Sequence, residues 1–497
     1  MSVPNYSTWQ AKAKEIQPEW RAFIDGRYVE SLSGKTFETI NPATGKVIAN
    51  IASCSAEDVD LAVRSARKAF DSGVWSRCAP AERKRVLLKF AESLMAHREE
   101  LALLESLDVG KPITNAYNGD IVSSATCIQW YAEAIDKLYG ETAPSTDDMT
   151  TLIMREPLGV VGAVVPWNYP LSMASWKLGP ALAAGNSVIL KPAEQSPLTA
   201  IRIARLAAEA GVPDGVLNVI PGFGENAGRA LGLHMDVDCI GFTGSTEVGK
   251  LFLQYAGQSN LKRVGLECGG KSPHIVMADC PDLDAAARAV AMGIFANSGQ
   301  VCNAGSRLIA EESIKDRLLE KVAEVAKELV IGDPLDPATK MGPVVSQSQH
   351  DRVLGYIGAG QEQGARLRLG GNALRKDSGG YFIEPTVFDG VQSTMKIAQE
   401  EIFGPVLSTI PFKNFDDALA IANDTIYGLA AGIWTSDLGR AHRAAKRLRS
   451  GVVWVNCFDK GNMSSPFGGF KQSGFGRDKS MHAFDKYMDW KAVWIAS

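Results

Sequence analysis

The chain has 497 residues, 45% apolar and 22% charged, with a mean hydropathy near zero. That profile describes a large globular protein of about two or three domains that needs no disulfide staples. A formal net charge of −4 and a pI near 6.0 speak against nucleic acid or an anionic membrane surface as a partner.

The first twenty residues lack a basic stretch followed by an apolar one, so no signal peptide is expected and a cytoplasmic location is. The longest apolar runs, such as Leu158 to Trp167, reach about ten residues, short of the ~20 that span a bilayer. In chain order, residues 56–73 predict an amphipathic helix with Ser55 as its N-cap, and residues 81–107 a longer helical stretch. From 158 onward strands and helices alternate: strand 160–165, helix 172–185 closed by Gly185, and strand 186–191. Helix 197–211 follows, then strand 216–220, strand 238–244 and a helix opening at Ser245. This rhythm predicts a parallel, doubly wound α/β sheet that binds its ligand at the carboxyl ends of its strands. Residues 263–277 read as the start of a second α/β domain that runs to about 455. Two segments, 138–156 and 486–497, fit neither domain and read as exposed strands, whose edges predict cover from another subunit.

Eight cysteines (54, 78, 127, 239, 268, 280, 302 and 457) form neither a CxxC pair nor a Cys/His cluster, so neither zinc nor a disulfide framework is indicated. Most are expected to be small buried hydrophobes. Cys302 stands apart, because FANSGQVCNAGSR (295–307) surrounds it with small residues through which a substrate could approach a thiolate. In LECGGKSP (266–273), Glu267 lies among apolar neighbours, where desolvation would raise its pKa and suit it to general-base work. The turn VVPWNYP (164–170) sets Asn168 at a strand end, where its amide could donate to an oxyanion or simply shape a loop. ILKPAEQSP (189–197) puts Lys191 and Glu194 where a ribose would lie. FTGSTEVG (242–249) offers glycines and a helix start to a phosphate, although G-x-G-x-x-G is missing.

Together with EEIFGPV (400–406) and PFGGFKQSGFGRD (466–478), these segments resemble the aldehyde dehydrogenase superfamily in order, spacing and wording, from about residue 20 to 496. The resemblance implies a Rossmann-like NAD-binding domain (1–137 and 157–265), a second α/β catalytic domain (266–480) and an extended β oligomerisation element (138–156 and 481–497). It implies a homotetramer, NAD as cofactor and a small-molecule aldehyde as substrate. It assigns Cys302 as nucleophile, Glu267 as general base and Asn168 as oxyanion donor. Asp478 stands where relatives carry a glutamate. For NAD it implies Val165, Pro166, Trp167, Lys191, Glu194, Gly224, Gly228, Phe242, Gly244, Ser245, Val248, Gly249, Glu401 and Phe403. Ile40, Asp108 and Gln195 match a monovalent-cation site found in some members.

The C-terminal run from Gly461 to Phe484 is most similar to bacterial γ-glutamyl-γ-aminobutyraldehyde and related aminoaldehyde dehydrogenases. By that resemblance Tyr169, Met173, Trp176 and Phe467 line an aromatic tunnel. Ser123 leaves its entrance roomy, and Asp120 and Asp459 are the carboxylates available to a distant ammonium or guanidinium. Broad-specificity or betaine-type oxidation, a coenzyme A-acylating enzyme and a crystallin-like structural protein stay open as alternatives. An intact Cys302, Glu267 and Asn168 favour hydrolytic catalysis.

Overall fold

The computed structural model describes residues 3–497. Its first sheet has eight strands, and the middle five are parallel: Leu217–Val219, Ser187–Lys191, Val160–Val164, Cys239–Thr243 and Arg263–Glu267. Chain order therefore reverses between Val160–Val164 and Cys239–Thr243, the switch point at which such sheets open a crevice at their carboxyl ends. The strands read as continuous apolar runs because helices cover both faces. In Val160–Val164, Val161 and Ala163 enter one core cluster while Val160 and Val164 enter the other.

The predicted helices form with small shifts at their ends. Ala56–Ser72 starts at Ser55, whose backbone N–H donates to the Asp58 carboxylate at 2.8 Å, and Pro170–Ala184 and Leu198–Ala210 close on Gly185 and Gly211. The 81–107 stretch is two helices, Pro80–Ala96 and Arg98–Val109, which bend at His97.

The second sheet has seven strands, six of them parallel, and runs from Pro273–Val276 to Val452–Val455. The expected boundary between the units needs correction. Arg263–Glu267 does not open the second unit; it pairs in parallel with Cys239–Thr243 and completes the first. Gly474–Phe475, from the far end of the chain, then pairs antiparallel with Leu266 and Glu267. Local pattern could not reveal this, because a buried parallel strand looks alike in either sheet.

The two exposed strands expected outside both domains pair with each other. Met488–Ala496 lies antiparallel to Met149–Pro157 along nine residue pairs, with Glu141–Ala143 on the other side. No helix among the described residues is long and apolar enough to cross a membrane.

Candidate active site

The site lies at the carboxyl ends of the first sheet, against the turn that carries Cys302. That turn is tightly determined. Asn297, Ser298 and Gly299 all adopt left-handed backbone, a strained run for two non-glycine residues that persists only where surroundings enforce it. The enforcing bonds are visible: Ser298 Oγ donates to the Gly342 carbonyl at 2.8 Å, and Gln300 Oε1 accepts from Val345 N–H at 2.8 Å. Asn168 Nδ2 donates to the Gln300 carbonyl at 2.8 Å, and Asn297 Nδ2 returns a bond to the Asn168 carbonyl at 3.2 Å. Asn168 and the cysteine turn are thus locked together, and the second amide hydrogen of Asn168 has no partner among the described residues.

The Gly-Gly pair of LECGGKSP has a steric reason. A Cβ on Gly270 would sit 2.4 Å from the Cys302 carbonyl, and one on Gly269 would sit 2.1 Å from a Glu401 oxygen. Glu401 Oε1 in turn accepts from Gly270 N–H at 3.0 Å. Burial pushes the Cys302 thiol up, Glu401 and then Glu267 and Asp459 push it further, and only the Asn303 N–H works for the thiolate.

Glu267 is buried, and neither of its side-chain oxygens has a hydrogen-bond partner. Burial first, then the negative charge of Asp478, holds its carboxyl well above the usual range. Its Oε1 lies 2.7 Å from where a Cβ on Gly468 would sit, so only glycine admits it there. Asp478 itself is fully buried between Lys177, at 2.5 Å, and Lys486. Burial alone would raise it, but Lys177 and Lys486 outweigh that and keep it ionised. Asp478 meets Glu267 through its field, not by a hydrogen bond.

The cofactor-binding residues of the sequence reading gather along the crevice. Val165, Pro166 and Trp167 follow Val160–Val164; Trp167 meets Phe403 edge-on at 5.2 Å, and Phe403 is held in left-handed backbone. Lys191 is buried, donates to the Pro192 carbonyl at 2.8 Å and stands 3.8 Å from Glu194. Burial lowers its pKa, and Glu194 opposes that fall. Gly224–Gly228 form a π-helical turn, and a Cβ on Gly228 would touch the Lys191 stem at 3.6 Å. Glu225 and Asn226 of that turn line a cavity of about 420 Å³ with Cys54 and Arg229. Ser245 caps the helix Thr246–Gln258 by accepting from Val248 N–H at 3.2 Å, leaving Thr246 and Glu247 N–H without intrahelical partners. Phe242 packs under Gly244, and Gly249 lies against Cys268. A free helix N-terminus suits a phosphate group.

Two expected features are occupied by the protein itself. The Asp120 carboxylate lies 3.0 Å from Lys111, which also pairs with Glu105 at 2.9 Å and covers the Tyr169 ring at 3.8 Å. Asp120 is therefore a buried group that shares one lysine with Glu105, not an open one, and Ser123 beside it donates to its carbonyl at 3.0 Å. Asp108, expected at a cation site with Ile40 and Gln195, accepts from Thr39 Oγ1 at 2.7 Å and from Leu198 N–H at 2.9 Å. Each of its oxygens thus accepts one donor from the protein.

Trp176 and Phe467 form an edge-on pair at 5.2 Å, and Met173 is buried on the same helix as Trp176. Asp459 accepts from Asn303 Nδ2 at 2.8 Å and raises the thiol of Cys302, so it faces the reacting end. The residues missed by sequence reasoning are lysines: Lys111, Lys177, Lys479 and Lys486. Lys177 alone left a trace, as a solitary cation in an apolar helix.

The profile of the aldehyde dehydrogenase family matches residues 28–493. The chain belongs to the aldehyde dehydrogenase family. Among curated relatives, this aldehyde dehydrogenase is 52% identical to the NADP/NAD-dependent aldehyde dehydrogenase PuuC of Escherichia coli, over 100% of this chain and 99% of that one. Among solved structures it matches an indole-3-acetaldehyde dehydrogenase in complex with NAD+ at a TM-score of 0.99, with 56% identity and 100% of both chains covered. The γ-glutamyl-γ-aminobutyraldehyde dehydrogenase of Burkholderia cenocepacia J2315 matches at a TM-score of 0.97, with 55% identity over 99% of this chain and 100% of that one. The fold and the activity expected from sequence, NAD-dependent oxidation of an aldehyde, both hold.

Proposed function

We propose that this aldehyde dehydrogenase oxidises aminoaldehydes in polyamine or amine catabolism: γ-glutamyl-γ-aminobutyraldehyde, 4-aminobutyraldehyde, 4-guanidinobutyraldehyde or 3-aminopropanal. The observation that carries this reading is Asp459, a solvent-accessible carboxylate tied through Asn303 to the cysteine turn and beside the aromatic tunnel. The relative from Burkholderia cenocepacia supports it.

Cys302 gives its thiol proton to solvent water, the thiolate attacks the aldehyde carbon, and the oxyanion is held by Asn168 and the Cys302 backbone N–H. When bound, NAD supplies a positive charge and the acceptor for the hydride that the thiohemiacetal gives up. A thioester on Cys302 remains. Glu267, once ionised, takes a proton from water, whose oxygen joins the acyl carbon; the acid leaves and the sulfur is restored. Lys191 and Glu194 would hold the adenosine ribose, and Glu401 and Phe403 would hold the nicotinamide end.

The protein works as a cytoplasmic homotetramer. A cofactor unit (1–137 and 157–267, joined by 474–475) and a catalytic unit share the crevice, and strands 149–157 and 488–496 form the subunit contacts. The test is a panel of aldehydes followed by NADH absorbance. An aminoaldehyde should exceed butyraldehyde at least about tenfold in kcat/KM, the size of a desolvated charge contact. Equal efficiency would overturn the aminoaldehyde reading. Acid as product, with no acceleration by coenzyme A, separates this reading from an acylating one.

A further inference from the structure

A buried ammonium needs a partner for each of its three N–H bonds, and Lys111 has three. It donates to the Glu105 carboxylate at 2.9 Å and to the Asp120 carboxylate at 3.0 Å, and it stands 3.8 Å from the centre of the Tyr169 ring. Burial works against its charge, but Asp120 and Glu105 outweigh that and keep it protonated. Glu105, Lys111 and Asp120 are all buried, and none of them takes part in the chemical steps proposed above. A charge cluster that is costly to bury and idle in the chemistry calls for another role.

Its surroundings supply one. Glu105 lies in the helix Arg98–Val109, Lys111 just past the Gly110 that closes it, and Asp120 at the end of the π-helical turn Ala116–Asp120. Tyr169 comes from elsewhere in the chain: it precedes the helix Pro170–Ala184 and makes no side-chain cap bond there. Its ring is only partly buried, and the Lys111 ammonium is its one cationic contact. A desolvated ammonium on the ring face is a strong, directional hold. Two routes lead from this point to the cysteine turn. Tyr169 is joined to Asn168, whose amide donates to the Gln300 carbonyl and whose carbonyl accepts from Asn297. On the other side, Gly110 meets Gly342 backbone to backbone, since a Cβ on Gly342 would lie 2.0 Å from the Gly110 carbonyl. The Gly342 carbonyl is the one that accepts from Ser298 Oγ.

We propose that Lys111 is a positioning residue for the first chemical step: clamped by Glu105 and Asp120, its ammonium fixes the Tyr169 ring and thereby aims the Asn168 amide at the oxyanion. Lys111 itself touches no reacting atom. The inference rests on the oxyanion role proposed for Asn168, and it holds whichever aldehyde is the natural one.

The test is single-turnover formation of NADH with enzyme in excess, on butyraldehyde or its 4-amino analogue, whichever is used faster. This reads the first half of the reaction alone. Lys111→Met should slow it about ten- to a hundredfold and change the steady-state KM less than about threefold, because a misaimed donor loses part of what a whole one supplies. Lys111→Arg keeps a cation for the two carboxylates and the ring and should restore most of the rate. Removing one partner from a buried cluster also destabilises, so a second variant separates rate from folding. Lys111→Met combined with Glu105→Gln and Asp120→Asn leaves no unpaired charge; it should recover the melting temperature and stay slow. Added to Asn168→Ala, Lys111→Met should cost nothing further, since its effect passes through the same amide. A wild-type rate in the folded triple variant, or losses that multiply in the Asn168 background, would overturn the inference and leave Asn168 its role. If Asn168→Ala alone forms NADH as fast as wild type, the oxyanion reading and this inference fall together.

Discussion

Desolvation raises the pKa of both Glu267 and Cys302, and Glu267 raises that of Cys302 further. In the proposed mechanism charge is needed first on the sulfur and later on the carboxyl. Cys302→Ala should abolish aldehyde oxidation while leaving NAD binding, read by tryptophan fluorescence, within about twofold of wild type, since only the nucleophile is lost. Glu267→Gln should slow the second half of the reaction by about 10²–10⁴, because a carboxamide cannot take a proton from water. Rapid mixing would then show a burst of NADH and a slow steady rate. Equal slowing of both phases would move Glu267 to the first step. In the role proposed for it, Glu194 accepts a ribose hydroxyl and repels a 2′-phosphate, so kcat/KM with NAD should exceed that with NADP, and Glu194→Gln should narrow the ratio. A ratio near one in wild type would remove that role from Glu194.

At the scale of elements, Asp108 ties the helix Arg98–Val109 to the start of Leu198–Ala210 and to Thr39 of the strand Thr36–Asn41. Burial raises its pKa to about 7, against the accepted bonds from Leu198 and Thr39. A folded pKa above the unfolded one means that the folded state holds an extra proton between about pH 4 and pH 7. The contribution is present in full below pH 4 and is lost as pH rises through 7. Asp108→Asn keeps the acceptor for Leu198 N–H and removes this titration. Its melting temperature should therefore fall less steeply between pH 5 and 8 than that of wild type. Identical slopes would show that Asp108 is ionised in the fold. The same elements show what sequence could and could not reveal. Helices with an amphipathic face and a closing glycine were legible, as were the strands that lead to Asn168, Lys191 and Ser245, because local periodicity and turn chemistry encode them. Which sheet receives Arg263–Glu267 was not legible, nor that the exposed-looking segments are partners, since pairing is chosen across hundreds of residues. Lys177 escaped for the same reason, since it lies three hundred and one positions from Asp478; Lys111 is only nine positions from Asp120, but a loop and a π-helical turn between them hide from periodicity that the two side chains meet.

For the whole molecule, the outer sheet is the part that calls for company. Met488–Ala496 leaves Trp490, Trp494 and Ile495 exposed, and Met154 of the neighbouring strand is exposed as well. Apolar side chains on a long strand are covered in a working protein or they promote aggregation. Light scattering should give a mass that is a multiple of 53.3 kDa, four times that value for the tetramer proposed above. Removing residues 488–497 should produce smaller species or aggregates. A stable, soluble monomer in both proteins would place the contacts elsewhere.

The pairing of Gly474–Phe475 with Leu266–Glu267 also has a consequence for biosynthesis. A ribosome adding about 5–20 residues per second delivers that last strand roughly ten to forty seconds after the one it must join. Until then the cysteine turn and the parallel strands can assemble, yet Glu267 has neither Gly468 against it nor Asp478 beyond it. An arrested or clipped chain ending before residue 468 would carry the sulfur without the walls that control its base. On the role proposed for Glu267, the hydrolytic half of the chemistry then waits until translation is nearly complete, and a fragment of this protein is not a smaller enzyme.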